Sequence, residues 1–170
     1  CPNGKYAVHT YSTANIPPVI DLISLPDHHV ISSFMDSQSL KEKVSQLEIN
    51  PKEFLQITLT SQLSLEASMI KPPNFDPSKK YPVLFYVYGE PWGQTVVDQW
   101  GGDRYLWHQM LAQQGYIVMS IDNRGTPSPK GREWRKCVYG QIGVLSSEDQ
   151  AAGLNALKER FSFIDGDRIG

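Results

Sequence analysis

The sequence predicts an α/β fold preceded by a short all-β segment. Three observations carry that expectation. Residues 81–88 and 116–121 are apolar without alternation, the pattern of strands covered on both faces in a parallel sheet. Helical spacing follows each of them, so the chain reads β-α-β-α-β from residue 81 onward. Before residue 50 the chain instead shows short strand-like runs broken by turn residues every ten or so positions.

In order, Asn3-Gly4 is a turn dipeptide, and residues 5–11, 19–25 and 30–34 read as strands, with a turn at Pro26-Asp27-His28-His29. Pro17-Pro18 is expected to interrupt the ladder between the first two. The result is a meander of the kind found in sandwiches and propellers, and two or three strands are marginal without partners. Residues 39–47 can form a short helix, and Asn50-Pro51 ends it, because a residue before proline avoids the α region. The domain boundary is placed there, giving segments 1–50 and 51–170.

Residues 54–59 and 63–70 then read as a hairpin, followed by the proline-rich stretch 71–78 and the apolar strand 81–88. A helix is expected over 103–114, with Asp103 as N-cap and Gly115 just past its end. Its expected apolar face is Leu106, Trp107, Met110 and Leu111. The strand 116–121 leads into the turn Asp122-Asn123-Arg124-Gly125, then a long loop to about residue 145. A second helix follows, with Ser146 and Asp149 in capping-box spacing and Ala151, Leu154, Leu157 and Phe161 on one side. Asp165-Gly166-Asp167-Arg168 reads as a turn into a third buried strand. Both ends read as cuts through a longer protein, since Cys1 opens the chain without an initiator Met and Gly170 closes it on that turn.

Composition narrows the function. The 170 residues are 40% hydrophobic and 20% charged, which is globular rather than disordered. Sixteen Lys and Arg against eighteen Asp and Glu give a net charge of −2, without the basic excess of a nucleic-acid binder. No stretch approaches the roughly 18 apolar residues of a membrane span. Cys1 and Cys137 show neither metal-ligand spacing nor a disulfide framework, although one bridge between them stays open.

No Gly-x-Ser-x-Gly elbow, Walker loop, Gly-x-Gly-x-x-Gly, His-Glu-x-x-His or Cys-x-x-Cys occurs, so no nucleophile sits beside a partner in this sequence. In open sheets of this order, chemistry gathers at the carboxyl ends of the strands. Tyr88 stands at one such end, followed by Gly89. Its phenol can donate to an oxyanion without bringing charge, or it can simply pack at the sheet edge, and position alone favours packing. Asp122 and Arg124 can pair with each other or with loop groups. Glu148 and Asp149 read as first-turn acids favourable to the helix dipole. His108 reads as packing or surface, and His28-His29 as a turn without metal partners. Trp92, Trp100, Trp107 and Trp134 could line a cleft, and packing explains them equally well. Lys130, Arg132, Arg135 and Lys136 read as a solvated basic loop.

Several stretches, taken in order, resemble the dipeptidyl peptidase IV branch of the prolyl oligopeptidase (S9) serine peptidase family. They are Ile70-Lys71-Pro72-Pro73-Asn74-Phe75-Asp76-Pro77, Tyr81 through Tyr88-Gly89-Glu90-Pro91, Trp107-His108-Gln109-Met110-Leu111-Ala112, Asp122-Asn123-Arg124-Gly125-Thr126 and Glu148-Asp149-Gln150. Tyr11-Ser12-Thr13-Ala14-Asn15-Ile16-Pro17-Pro18 is similar to the end of that family's β-propeller. The resemblance implies the N-terminal part of an α/β-hydrolase domain, preceded by the end of a propeller. It implies a serine peptidase that releases N-terminal dipeptides, preferring Pro or Ala second, through an acyl-enzyme. The family's oxyanion tyrosine falls on Tyr88, which reverses the odds in favour of function there. The nucleophilic Ser, the triad Asp and His, and the acidic pair that binds the substrate's amine would all lie outside these 170 residues. Peptide substrates, no cofactor, no metal and a homodimer in the intact protein are further implications, as is a periplasmic, cell-surface or secreted location.

Two departures stand out. Glu90 and Trp92 occupy positions where the family more often has small residues, and Thr126-Pro127-Ser128-Pro129 replaces a more glycine-rich turn. An inward-facing Glu90 would oppose oxyanion formation. Two rival readings remain: another hydrolase of this scaffold (acylaminoacyl peptidase, oligopeptidase or esterase), and a non-catalytic homologue that binds peptides or proteins.

Overall fold

The computed structural model describes residues 3–170. The elements run β1 (Tyr6–Thr13), β2 (Ile16–Ser24), β3 (Val30–Met35), α1 (Gln38–Ser45), β4 (Glu53–Thr60), β5 (Leu63–Ile70), β6 (Tyr81–Phe85), α2 (Gly102–Gln113), β7 (Ile117–Asp122), α3 (Gly131–Lys136), α4 (Val144–Arg160) and β8 (Ile164–Ile169). Two compact units result. One holds residues up to Glu48 together with Asp98–Leu106; the other holds Ile49–Val97 and Trp107–Gly170.

The first unit is a three-stranded antiparallel meander, β1-β2-β3, followed by α1. Pro17 and Pro18 lie inside β2 rather than interrupting it. They are tolerated because the β1–β2 register shifts beside them, between Tyr11 and Thr13, and because β3 pairs only from Ile20 onward. The loop 98–101 and the first turn of α2 belong to this unit. Ala14 N–H donates to Asp98 Oδ1 (2.8 Å), Trp100 N–H to Ser12 Oγ (3.3 Å) and Tyr105 Oη to Asn15 Oδ1 (3.3 Å). Little apolar surface is buried here beyond Ala14, Ile23 and Tyr105, and every residue of β3 is exposed.

The second unit is built on a five-stranded sheet of order β4-β5-β7-β6-β8. β4 and β5 form the expected hairpin, β5 runs antiparallel to β7, and β7, β6 and β8 are parallel. Sequence order reverses at β6: the chain moves to β7 on one side and then returns across to β8 on the other. All six residues of β7 are buried, as expected of a strand covered on both faces, with Ser120 and Asp122 the polar members. The core joins Ile57, Leu65, Ala67, Met69, Val83, Ile117, Met119, Ile121, Leu157, Phe163 and Ile164. α4 packs against β4 and closes on β7 through Gly153, where an added Cβ would stand 3.0 Å from Ile121 Cδ1.

Several expectations are corrected. β6 stops at Phe85, not Tyr88, because its pairing to β7 ends at Phe85–Met119 and its pairing to β8 at Val83–Ile169. Residues 165–168 form part of β8 rather than a turn before it, so the edge of the sheet beside β6 is a polar strand and not an apolar one. On α2 the buried stripe is Tyr105, His108, Gln109 and Ala112, spaced i, i+3, i+4, i+7, while Trp107 and Met110 are exposed. On that face Gln109 Nε2 donates to Asn50 O (2.7 Å), and the Tyr86 ring meets the His108 ring at 5.2 Å. The helix also starts at Gly102, so Asp103 lies in its first turn rather than at the cap. α4 begins at Val144 behind Gly143, not at Ser146, and its buried face is Ser146, Asp149, Gly153 and Leu157. The loop to residue 145 contains the short helix α3, which carries Arg132, Arg135 and Lys136.

Candidate active site

The site is built at the carboxyl ends of β6 and β7, beside the strand where sequence order reverses, the usual place for a ligand crevice in such sheets. β6 delivers the chain into it: Phe85 N–H donates to Gly170 O and Tyr86 N–H to Met119 O, both at 2.8 Å. Val87 and Tyr88 then leave the sheet and become exposed, Tyr88 at 48%. Gly89 follows at φ +80, a conformation that L side chains rarely adopt. The chain then curls so that Gly93 faces the Tyr88 ring, where an added Cβ would lie 3.1 Å from Cε1 and 3.2 Å from Cδ1.

The tip of β7 supplies the opposite wall. Asp122 is 2% exposed and accepts from Thr95 N–H (2.8 Å), Thr95 Oγ1 (3.1 Å), Val96 N–H (3.2 Å) and Gln94 Nε2 (3.3 Å). Asn123 is 1% exposed; its Nδ2 donates to Gly89 O (3.2 Å) and Arg124 O (2.8 Å), and its Oδ1 accepts from Gln150 Nε2 (3.1 Å). The same Gln150 amide also donates to Ile121 O (2.8 Å), tying α4 to the strand. Thr126 Oγ1 caps Asn123 O at 2.9 Å.

Arg124 and Asp149 form the site's buried ion pair. Nη2 lies 2.7 Å from Oδ1, Nε 3.0 Å from Oδ2, and the Arg124 backbone N–H donates to Oδ2 at 2.8 Å. These bonds hold the Arg124 guanidinium above its ordinary pKa, against the opposing effect of burial. Asp122 and Arg124 therefore do not pair with each other: each engages a different loop or helix. Asp149 is not a first-turn dipole acid, because α4 begins five residues earlier and turns this carboxylate inward.

Other candidates disperse. Trp100 packs on Tyr105 at 5.0 Å in the first unit, and Trp107 lies exposed beside His108. Trp134 donates Nε1–H to Thr126 O (3.1 Å), and Lys130 Nζ sits 4.7 Å over its ring. Lys130 also pairs with Glu66 (2.9 Å) and donates to Ser64 O (2.7 Å), so it is anchored and not part of a solvated loop. Arg132, Arg135 and Lys136 are exposed on α3 and line, with Pro91, Trp92 and Tyr139, an open cavity of about 460 Å³. His108 is buried, as a packing residue would be. His28 and His29 are exposed in the turn after β2. Among the described residues, no group of three or more His, Cys, Asp or Glu side chains is placed to hold a metal ion. No helix among them is long and apolar enough to cross a membrane. Cys137 is an exposed thiol, while Cys1, its possible partner, lies outside the described residues.

Sequence reasoning missed Asn123, Gly93 and the role of Asp149. The signal for Asp149 was present in its spacing: Ser146, Asp149, Gly153 and Leu157 form one helical stripe of small and polar residues. Asn123 and Gly93 carry no local signal, because their partners lie 34 and 5 residues away across a loop.

Compared with known proteins, residues 103–170 match the prolyl oligopeptidase family. The crystal structure of Porphyromonas gingivalis dipeptidyl peptidase 4 superposes with a TM-score of 0.90 at 39% identity, over 98% of this chain and 23% of that one. Dipeptidyl peptidase 4 of Trichophyton rubrum is 34% identical over 98% of this chain and 21% of its own length. Human dipeptidyl peptidase 8 is 34% identical over 72% of this chain and 14% of its own. The fold is thus the N-terminal part of an α/β-hydrolase sheet with the β segment that precedes it in this class of peptidase. The chain belongs to the prolyl oligopeptidase family, and the relatives named here are its dipeptidyl peptidases. It spans about a fifth of the length of the Trichophyton relative.

Proposed function

We propose that this chain is part of a serine exopeptidase that releases N-terminal dipeptides, and that Tyr88 supplies one donor of its oxyanion hole. The single observation that carries the reading is the match along 98% of the chain to a dipeptidyl peptidase 4, at 39% identity. The geometry is in keeping with it. Tyr88 stands exposed at the reversal point of the sheet, and among the described residues nothing engages its hydroxyl. An acyl-transfer site needs donors held where negative charge develops on the carbonyl oxygen. A phenol on a braced loop meets that need, with a backbone N–H beside the nucleophilic Ser as the second donor. That Ser, its Asp and His, and the acidic pair that holds the substrate amine belong to other parts of the enzyme. Residues 1–50 belong, on this reading, to the end of a β-propeller, and residues 51–170 to the catalytic domain. The apolar side chains left exposed on β1 and β3, including Val8, Val30, Ile31 and Phe34, support a neighbouring β structure over that meander. Substrates are peptides with Pro or Ala second, and the intact enzyme is a homodimer.

The test is hydrolysis of a Gly-Pro-anilide by the full-length protein and by its Tyr88→Phe variant. Wild type should turn over, and Tyr88→Phe should lower kcat by about 10²–10³-fold with little change in KM. A folded wild type without turnover rejects the exopeptidase, and an unchanged kcat in the variant removes Tyr88 from the oxyanion role.

A further inference from the structure

We infer that Asp122, the last residue of β7, and Asn123, the residue after it, are positioning residues that fix the phenol of Tyr88 by holding both ends of the loop that carries it. The inference deepens the proposed function and rests on it. The loop from Tyr86 to Val97 leaves the sheet after Phe85, so no ladder restrains Tyr88 beyond the Tyr86–Met119 bond. Two side chains replace that ladder. Asn123 Nδ2 holds the carbonyl of Gly89, the residue directly after Tyr88, at 3.2 Å. Asp122 holds the backbone N–H groups of Thr95 and Val96 at 2.8 and 3.2 Å. Both are almost wholly buried at adjacent positions, Asp122 ending β7 and Asn123 directly following it, so the two ends of the loop are referred to the end of one central strand.

The clamp is itself braced. Gln150, on α4, donates to Asn123 Oδ1 and leaves Nδ2 facing the loop, which also fixes the orientation of the amide. Asp122 takes four donors from Gln94, Thr95 and Val96, so the carboxylate is buried with compensation rather than as a bare charge. Between the two anchors the chain folds back, and Gly93 makes the floor under the Tyr88 ring. At 3.1–3.2 Å from the ring edge, a Cβ there crowds the ring, which must give by a few tenths of an ångström. An oxyanion donor works only if it is already placed when charge develops, and misplacement by about 1 Å can cost on the order of 10²-fold in rate. A loop fixed at both ends and floored by glycine supplies that placement to an otherwise exposed tyrosine.

Asn123→Asp keeps the shape and the acceptor for Gln150 but removes the donor to Gly89 O. Gly93→Ala leaves both anchors and crowds the ring. In the full-length enzyme, Asn123→Asp should lower kcat for a Gly-Pro-anilide by about 10- to 100-fold and Gly93→Ala by about 3- to 10-fold, with KM changed less than about 2-fold in both. Neither should lower kcat further in a Tyr88→Phe background, because both act through the phenol. The second readout is ¹⁹F NMR of 3-fluorotyrosine at position 88. A single resonance in the wild type should shift or broaden in both variants. An unchanged resonance in both, or losses that multiply with Tyr88→Phe, overturns the clamp. If Tyr88→Phe alone leaves kcat intact, the oxyanion reading fails, and the resonance still decides whether Asn123 and Gly93 place the ring.

Discussion

Asp149 does two jobs with one carboxylate. It accepts from the Arg124 backbone N–H, which fixes the turn after β7, and from the Arg124 guanidinium, which it meets with both oxygens. The carboxylate is 2% exposed and the Arg124 side chain 29%, so solvent screens the pair only from one side. Removing one partner of such a pair leaves a desolvated charge and an unpaired turn N–H. Asp149→Ala should therefore destabilise the protein by about 2–4 kcal/mol, less than the full cost of breaking a deeply buried pair. The pair Lys71–Glu53, at the similar distance of 2.8 Å but with its carboxylate 49% exposed, should yield under about 1 kcal/mol on Glu53→Ala. Thermal or urea denaturation of the two variants checks the contrast, and equal losses would show that burial does not set the difference. At this scale the sequence was informative about identity and silent about partners. An acid three residues after a serine near a helix start fits a capping box, and the alternative appears only once Gly143 is seen to start the helix at Val144.

The elements depend on close approach as much as on hydrophobicity. α4 reaches the sheet through Gly153, whose missing side chain admits Ile121 Cδ1 and Leu65 Cδ1. A branched residue there cannot be absorbed by a single rotamer change, because Ile121 and Leu65 are both fully buried. Gly153→Val should cost about 1–3 kcal/mol despite any gain in helix propensity, and a melting temperature no lower than wild type would overturn this reading of the helix–sheet contact. Periodicity revealed the strands well, because β7 is buried on both faces and the β4–β5 hairpin carries its own turn. It failed on the helix faces. α2 turns His108 and Gln109 inward, where they meet the Tyr86 ring and Asn50 O, and leaves Trp107 and Met110 outside; those partners lie far away in sequence and give no local signal. It also overextended β6, because the apolar run to residue 88 continues after the partner strands have ended. That overshoot matters for the site: Tyr88 is a loop residue placed by distant side chains, not a strand residue placed by a ladder.

The two units of the molecule are stabilised very unequally. The second encloses a core of a dozen buried residues on a five-stranded sheet, whereas the first buries little beyond Ala14, Ile23 and Tyr105 and leaves Tyr6, Val8, Tyr11, Val30, Ile31, Phe34 and Met35 exposed. So small a core offsets little of the conformational entropy lost on ordering the meander. The 170-residue chain prepared alone should therefore show amide protection divided by unit. Peptides from β5 and β7 should exchange slowly, and those from β1 to β3 should exchange near the unprotected rate, because local opening there exposes almost nothing that was dry. In the full-length enzyme the same β1–β3 peptides should gain protection if the rest of the propeller covers their apolar side chains. Hydrogen–deuterium exchange with mass spectrometry reads both samples. Strong protection of residues 6–35 in the isolated chain would mean the meander is self-sufficient, and no gain in the full-length protein would remove the propeller from the proposed architecture.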